Sequence, residues 1–227
     1  MKRPNVFTTG DGSMTPRELL ITGAHGLGLD LTSEQVNSLF LFLTELSKWN
    51  RKINLTAIRN ERDMIIKHVI DSLSYIKGFN PSLGLRLIDL GSGAGFPAIP
   101  MKIILPDISV TLVESVKKKA AFLRHIVRTL ALTGVEIVDK RAEELSESHQ
   151  AAYDVVTARA FSKMNQALST GEPFLKPGKH AVLSRGPEET ISGQELAGIG
   201  FVLKNRIELT LPHSDYRRVI WILERTA

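Results

Sequence analysis

The stretch Leu87-Ile88-Asp89-Leu90-Gly91-Ser92-Gly93-Ala94-Gly95-Phe96-Pro97 carries the densest chemical signal in the chain. An apolar run leads straight into glycines at alternate positions and then to a proline suited to opening a helix. Glycines there let the backbone turn tightly and approach a ligand that also meets the N-terminus of the next helix. In an open α/β sheet such a crevice lies at the carboxyl ends of the strands, where ligands bind. A G-x-G-x-G pattern alone is also compatible with a merely structural turn, so the acids around it decide. Asp89 stands just before the loop, where its carboxylate can accept hydrogen bonds from loop amides or from the amino group of a cationic ligand. Glu114, at the end of the second apolar run, can accept both hydroxyls of a ribose. The dinucleotide fingerprint requires glycine at position 96 and the chain has Phe96, which argues against nicotinamide or flavin. An adenosine-bearing ligand without a pyrophosphate fits better, and S-adenosylmethionine is the common one.

The elements that hold these residues can be read from apolar spacing. Leu85 to Leu90, Ile108 to Val113, Val135 to Val138, Tyr153 to Ala158 and His180 to Ser184 read as buried strands. Helical stretches are expected between them around Pro97 to Ile104, Val116 to Leu132 and Lys163 to Leu175. Strand and helix in alternation imply a mainly parallel, doubly wound α/β sheet, because parallel strands need crossover connections. Phe201 to Thr210 and Arg217 to Glu224 show no obvious helix between them, so an antiparallel strand pair should finish the sheet. Upstream, Thr15-Pro16-Arg17-Glu18 and Thr32 with Gln35 are capping-box signals. Val36, Leu39, Phe40, Leu43 and Leu46 then recur at helical steps, and Ile65 to Ile76 forms a third stripe ended by Gly78. The expected organisation is a flexible tail over residues 1–13, a helical N-terminal part over 14–80 and the sheet domain over 81–227.

Composition narrows the classes of function. The 227 residues are 43% hydrophobic and 23% charged, an ordinary globular balance, and the longest apolar runs fall far short of the ~20 residues of a membrane helix. Met1 to Ser13 contains no apolar stretch fit for a secretory signal, so a cytoplasmic location is expected. The absence of cysteine excludes disulfides, thiolate metal sites and cysteine nucleophiles. The six histidines show no metal-ligand spacing, and no metal is expected. Between Ser115 and Arg141, Lys117, Lys118, Lys119, Arg124, Arg128, Lys140 and Arg141 face only Glu136 and Asp139. That excess equals the net charge of the whole chain, +5. A polyanionic partner and a solvated helix face explain it equally well on charge alone.

The loop motif, together with Leu112-Val113-Glu114-Ser115, Lys118-Lys119, Phe122-Leu123, Arg141-Ala142-Glu143-Glu144 and Ala158-Arg159-Ala160, resembles the RsmG (GidB) family. Trp49-Asn50, Asn54-Leu55-Thr56-Ala57-Ile58 and His68-Val69-Ile70-Asp71-Ser72-Leu73 resemble that family's helical N-terminal part, so the resemblance runs from about Leu39 to Glu224. It implies a Rossmann-like class I methyltransferase fold and S-adenosylmethionine-dependent methylation of guanine N7 in small-subunit (16S) ribosomal RNA. The cofactor contacts it implies are Gly91, Phe96, Ala142, Glu143 and Arg159, alongside Asp89, Gly93, Gly95 and Glu114 from the loop chemistry. On position alone Arg159, directly after the apolar run Tyr153 to Ala158, suits a surface role as well as a functional one. The sequence departs from the family at Ala98, where glycine is usual, and at Ser184-Arg185-Gly186, where a lysine-glycine pair is usual.

The expected partner is ribosomal RNA or the small ribosomal subunit, contacted by Lys117, Lys118, Lys119, Arg124, Arg185, Arg217 and Arg218, with no membrane or metal and the chain acting as a monomer. No general base is expected, because guanine N7 already carries a free lone pair. His68 reads as a structural hydrogen-bonding residue, and Asn50, Asn54 and Thr56 as satisfied turn residues. Two alternatives stay open: a methyltransferase for a small molecule or protein, and a non-catalytic RNA-binding or assembly protein on the same fold.

Overall fold

The computed structural model describes residues 14–159, 161 and 163–226; the expected tail over residues 1–13 lies outside the described residues. The chain opens with α1 (Pro16–Gly26) and α2 (Ser33–Asn50), each started by the capping box read from sequence. In α1 the Thr15 hydroxyl accepts the Glu18 amide while Glu18 Oε2 accepts the Thr15 amide at 2.8 Å, so two donors that the helix leaves unpaired are satisfied reciprocally. The third apolar stripe is helical but not uniform. It runs as α3 (Glu61–Met64), a π-helical segment Ile65–Ile70, α4 (Asp71–Ser74) and a 3-10 turn Tyr75–Gly78.

The sheet domain follows as β1 (Arg86–Leu90), α5 (Ala98–Ile104), β2 (Ser109–Val113), α6 (Lys117–Thr129) and β3 (Val135–Val138). A 3-10 turn Ala142–Glu144, α7 (Ser146–His149), β4 (Tyr153–Thr157) and α8 (Met164–Gly171) come next. After a second turn, Glu172–Phe174, the chain ends with β5 (Leu175–Arg185), α9 (Gly193–Ile199), β6 (Phe201–Thr210) and β7 (Arg217–Arg225). Two boundaries differ from expectation. The helix expected to reach Leu175 stops at Gly171, since Pro173 has no N–H to continue it. The fifth strand starts at Leu175 rather than His180, its polar stretch around Gly178 absorbed by a register shift against Tyr153 and Val155. The short α9 was not anticipated; it buries only Leu196, too little for a legible stripe, although Ser192 and Glu195 form its capping box.

The seven strands lie in the order β3-β2-β1-β4-β5-β7-β6. The first five are parallel, and β7 runs antiparallel to both β5 and β6, so the expected antiparallel pair finishes the sheet with β7 inserted inside β6. Alternate side chains of β1 serve opposite faces. Leu87 joins a core with α2, the π-helical segment and α5, whereas Ile88 and Leu90 join one with Leu168 and Trp221. The N-terminal helices therefore share a hydrophobic core with one face of the sheet. Phe42 of α2, fully buried, has its ring centroid 5.0 Å from that of Phe96 and 6.4 Å from that of Phe122 on α6. Burying one such side chain contributes roughly 1.5–3 kcal/mol, so α2 is clamped to the glycine loop. No described helix is long and apolar enough to cross a membrane.

Candidate active site

The glycine loop leaves β1 at its carboxyl end. The Ser92 amide donates to the Val113 carbonyl at 2.9 Å, stitching the turn to β2, and the Gly95 amide donates to the Ser92 carbonyl at 2.7 Å. Two glycines have different reasons to be there. Gly95 has φ +89°, and a Cβ on it would stand 2.6 Å from Ile99 Cγ1, so the residue is fixed by conformation and by packing. Gly93 has φ +57°, and a Cβ on it would meet only the Gly91 carbonyl oxygen at 3.8 Å, so a ligand can approach the loop amides from this side.

Both predicted acids lie at this crevice and are almost sealed from solvent, Asp89 at 0% and Glu114 at 5% exposure. Asp89 Oδ1 accepts the Thr157 hydroxyl at 2.7 Å, whereas Oδ2 is buried without a partner among the described residues. Burial pushes the Asp89 carboxyl up to about 7, against the pull of the Thr157 and Ser92 hydroxyls. Glu114 is engaged on both oxygens, Oε2 accepting the Gly93 amide and Oε1 the Val116 amide, each at 2.8 Å. The glutamate read as a ribose acceptor thus also ties the loop to the start of α6. Each carboxylate oxygen keeps a second lone pair for a ligand hydroxyl. Ala142 is buried at the head of the turn after β3, with Glu143 exposed beside it.

Arg159 follows β4 and points at the N-terminal helices. Its Nη2 donates to the Lys67 carbonyl at 2.8 Å and lies 3.3 Å from His68 Nδ1 and 3.4 Å from Asp71 Oδ2, while Nη1 is buried without a partner among the described residues. The guanidinium also sits 5.8 Å from the Phe96 ring centroid. His68 is the residue whose place sequence reasoning undervalued. Its ring lies against Phe96, centroids 4.5 Å apart at 18°, and its Nε2 is 2.7 Å from Thr56 Oγ1. Burial, reinforced by the Arg159 charge, lowers its pKa to about 4, so the imidazole is neutral. With Arg159 donating to Nδ1, the proton resides on Nε2 and is given to Thr56. Thr56 is itself held by Asn50, whose amide donates to its carbonyl at 2.9 Å and accepts its amide at 3.0 Å. Hydrogen bonding by His68, Asn50 and Thr56 was expected; their convergence on Arg159 was not. The π-helical segment makes it possible, since both Lys67 and His68 belong to it, a frequent use of such segments.

Of the residues expected to hold RNA, the structure keeps Lys117, Lys118 and Lys119 together at the surface in the first turn of α6, beside the carboxyl end of β2. Three lysines there oppose the helix dipole, which favours acids at that end. Arg124 is half-exposed and pairs with Asp139 at 2.7 Å, and Arg217 lies 3.7 Å from Glu208. Two arginines turn inward instead. Arg185, 7% exposed, lies 3.2 Å from Glu189 Oε2 and donates to the Ala158 carbonyl, and Arg218 Nε donates to Asp71 Oδ1 at 2.9 Å. Their guanidinium groups already engage the buried Asp71 carboxylate, the part-buried Glu189 carboxylate and the Ala158 carbonyl, with which an RNA phosphate would compete. Phe96, 6% exposed, is packed into the core by Phe42 and His68 rather than offered as a stacking platform.

The strand order, with a glycine loop and two acids at the carboxyl ends of β1 and β2, defines a Rossmann-like methyltransferase fold. Solved structures agree at the level of fold: a SAM-dependent methyltransferase from Aquifex aeolicus matches with TM-score 0.52 and 17% identity, over 71% of this chain and 93% of that one. M. jannaschii TYW2 in complex with AdoMet matches with TM-score 0.53 and 14% identity, over 68% and 76%. The sequence comparisons are more specific. A family model described as GidB, rRNA small subunit methyltransferase G, matches residues 35–214. Proteins named ribosomal RNA small subunit methyltransferase G are 39% identical in Geotalea uraniireducens (strain Rf4), over 94% of this chain and 98% of that one, and 40% identical in Geobacter sp. (strain M21), over 92% and 97%. The chain belongs to the GidB family of small-subunit rRNA methyltransferases.

Proposed function

We propose that the chain transfers a methyl group from S-adenosylmethionine to N7 of a guanine in small-subunit ribosomal RNA, acting as a monomer in the cytoplasm. The observation that carries this reading is the unpartnered, fully buried Asp89 Oδ2 beside the open face of the glycine loop, in a chain of this family. The residues fit the cofactor. Asp89 Oδ2 would take an ammonium proton, the second lone pairs of Glu114 would take ribose hydroxyls, Ala142 and Glu143 would border the adenine, and Arg159 Nη1 would be left to donate. When bound, S-adenosylmethionine supplies an electrophilic methyl carbon on a sulfonium.

Guanine N7 offers its own lone pair to the methyl group that S-adenosylmethionine would supply, so no proton would have to leave and no side chain of the crevice would be needed as a base. The chain's task is placement rather than acid–base chemistry, and orientation of this kind is worth on the order of 7–11 kcal/mol. The Asn50, Thr56, His68 and Arg159 relay holds one wall of the site from the N-terminal helices, and Lys117, Lys118 and Lys119 would meet RNA phosphates at the rim. Methyl-labelled cofactor incubated with small ribosomal subunits lacking the modification tests the reading. Label in RNA supports it; label in protein alone, or none despite cofactor binding, refutes it.

A further inference from the structure

A second polar cavity opens beside the relay, on the helical side of the site, with a volume of ≈ 240 Å³. Arg51 and Arg59 line it together with Ser47, Asn50, Thr56 and Met64, and no acidic side chain does. Both arginines are exposed, and neither guanidinium makes a hydrogen bond, ion pair or ring contact among the described residues. Among the described residues the Ser47 hydroxyl has only the Met64 sulfur, at 3.9 Å, as a partner. Each guanidinium brings five N–H donors in a planar fork suited to phosphate oxygens. Arg51 caps the C-terminus of α2, where the helix dipole favours a cation. Arg59 has no such reason: it directly precedes Asn60, the N-cap of α3, at the end that repels positive charge.

The cavity is one residue away from the reaction site. Thr56 lines it and also accepts a hydrogen bond from His68 Nε2, and His68 stacks on Phe96 of the glycine loop. We infer that this cavity is a subsite for a backbone phosphate of the RNA substrate, close to the nucleotide being methylated and separate from the lysines of α6. The inference rests on the ribosomal reading above. An RNA strand gripped here and at Lys117 to Lys119 would cross the mouth of the crevice between two positive rims.

The test compares wild type with Arg51→Gln/Arg59→Gln for binding to small ribosomal subunits lacking the modification, across a salt series. The double variant should bind more weakly, with a log–log salt slope shallower by ~0.7–0.9, the contribution of one phosphate contact. Its affinity for S-adenosylmethionine should match wild type, which also reports an intact fold. Lys77→Gln, an exposed lysine on the approach to the amino end of β1, should leave the slope unchanged. A wild-type slope in the double variant overturns the subsite alone. A wild-type chain that does not bind the subunit overturns the ribosomal reading and the subsite with it.

Discussion

The imidazole of His68 lies nearly parallel to the ring of Phe96, centroids 4.5 Å apart, and through that stack the helical N-terminal part forms a wall of the cofactor loop. The same imidazole accepts a hydrogen bond from Arg159 and donates one to Thr56, so packing and hydrogen bonding converge on one side chain.

His68→Phe keeps an aromatic ring against Phe96 and removes both hydrogen bonds. A hydrogen bond to a charged group is worth about 1.5–3 kcal/mol. The variant should therefore lose roughly 10- to 100-fold in kcat/KM for methyl transfer while remaining folded. Steady-state kinetics with labelled cofactor check it, and His68→Asn, whose amide oxygen can replace Nδ1 as acceptor, should recover part of the loss. Unchanged kinetics in His68→Phe would remove the relay from the account.

Asp89 should couple cofactor binding to pH. Its carboxyl sits at about 7 because of burial, so near pH 6 it is mostly protonated in the free protein, yet it must ionise to accept an ammonium. Cofactor binding at about pH 6 should release close to one proton, and at about pH 8 almost none. Calorimetry in buffers of different ionisation enthalpy measures this directly. The same shift has a stability sign. The unfolded chain loses this proton near its ordinary value of 3.8, so from about pH 4 to 7 the folded state holds the extra proton. The stability contributed by that proton is full below the window and is lost as pH rises through it. Asp89→Asn should flatten this part of the ligand-free stability profile.

Gly95→Ala and Gly93→Ala should separate conformation from packing. The first meets Ile99 Cγ1 at 2.6 Å and adopts φ +89°; the second meets only the Gly91 carbonyl oxygen, at 3.8 Å, with φ +57°. Left-handed backbone costs a non-glycine residue ~1–2 kcal/mol, so Gly93→Ala should destabilise by about that much and weaken the cofactor by crowding the open face. Gly95→Ala should destabilise further, by ~1–3 kcal/mol of overpacking. Urea denaturation of the two variants ranks them, and equal losses would contradict the packing role.

Reversing Lys117, Lys118 and Lys119 to Glu should weaken binding to the small subunit and flatten its salt dependence, with S-adenosylmethionine affinity preserved. Filter binding over a salt series reads both quantities. An unchanged slope would return these lysines to a solvated helix face.

Strand positions, the parallel sheet and its antiparallel finish were legible because apolar runs and glycine turns are local signals. The loop acids were legible for the same reason: Asp89 and Glu114 stand at strand ends that the sequence marks. What was not legible depends on distant partners. Asp71 and Arg218 are 147 residues apart and Arg159 and His68 are 91 apart, so nothing local shows which partner either guanidinium takes. The π-helical turn at Ile65–Ile70 left no trace either, because its residues continue the apolar stripe of an ordinary helix. Arg51 and Arg59 drew no notice in sequence because each is a single charge beside a turn; only the fold brings them to one cavity.

The central claim is the atom that receives the methyl group. An N7-methylguanine carries a positive charge that makes its ring open to borohydride reduction, after which aniline cleaves the strand at that base. Small-subunit RNA lacking the modification, treated in this way after incubation with the chain and S-adenosylmethionine, should break at one guanine, and should stay whole when the cofactor is omitted. Label in the RNA without an aniline break would place the methyl group elsewhere and contradict the account.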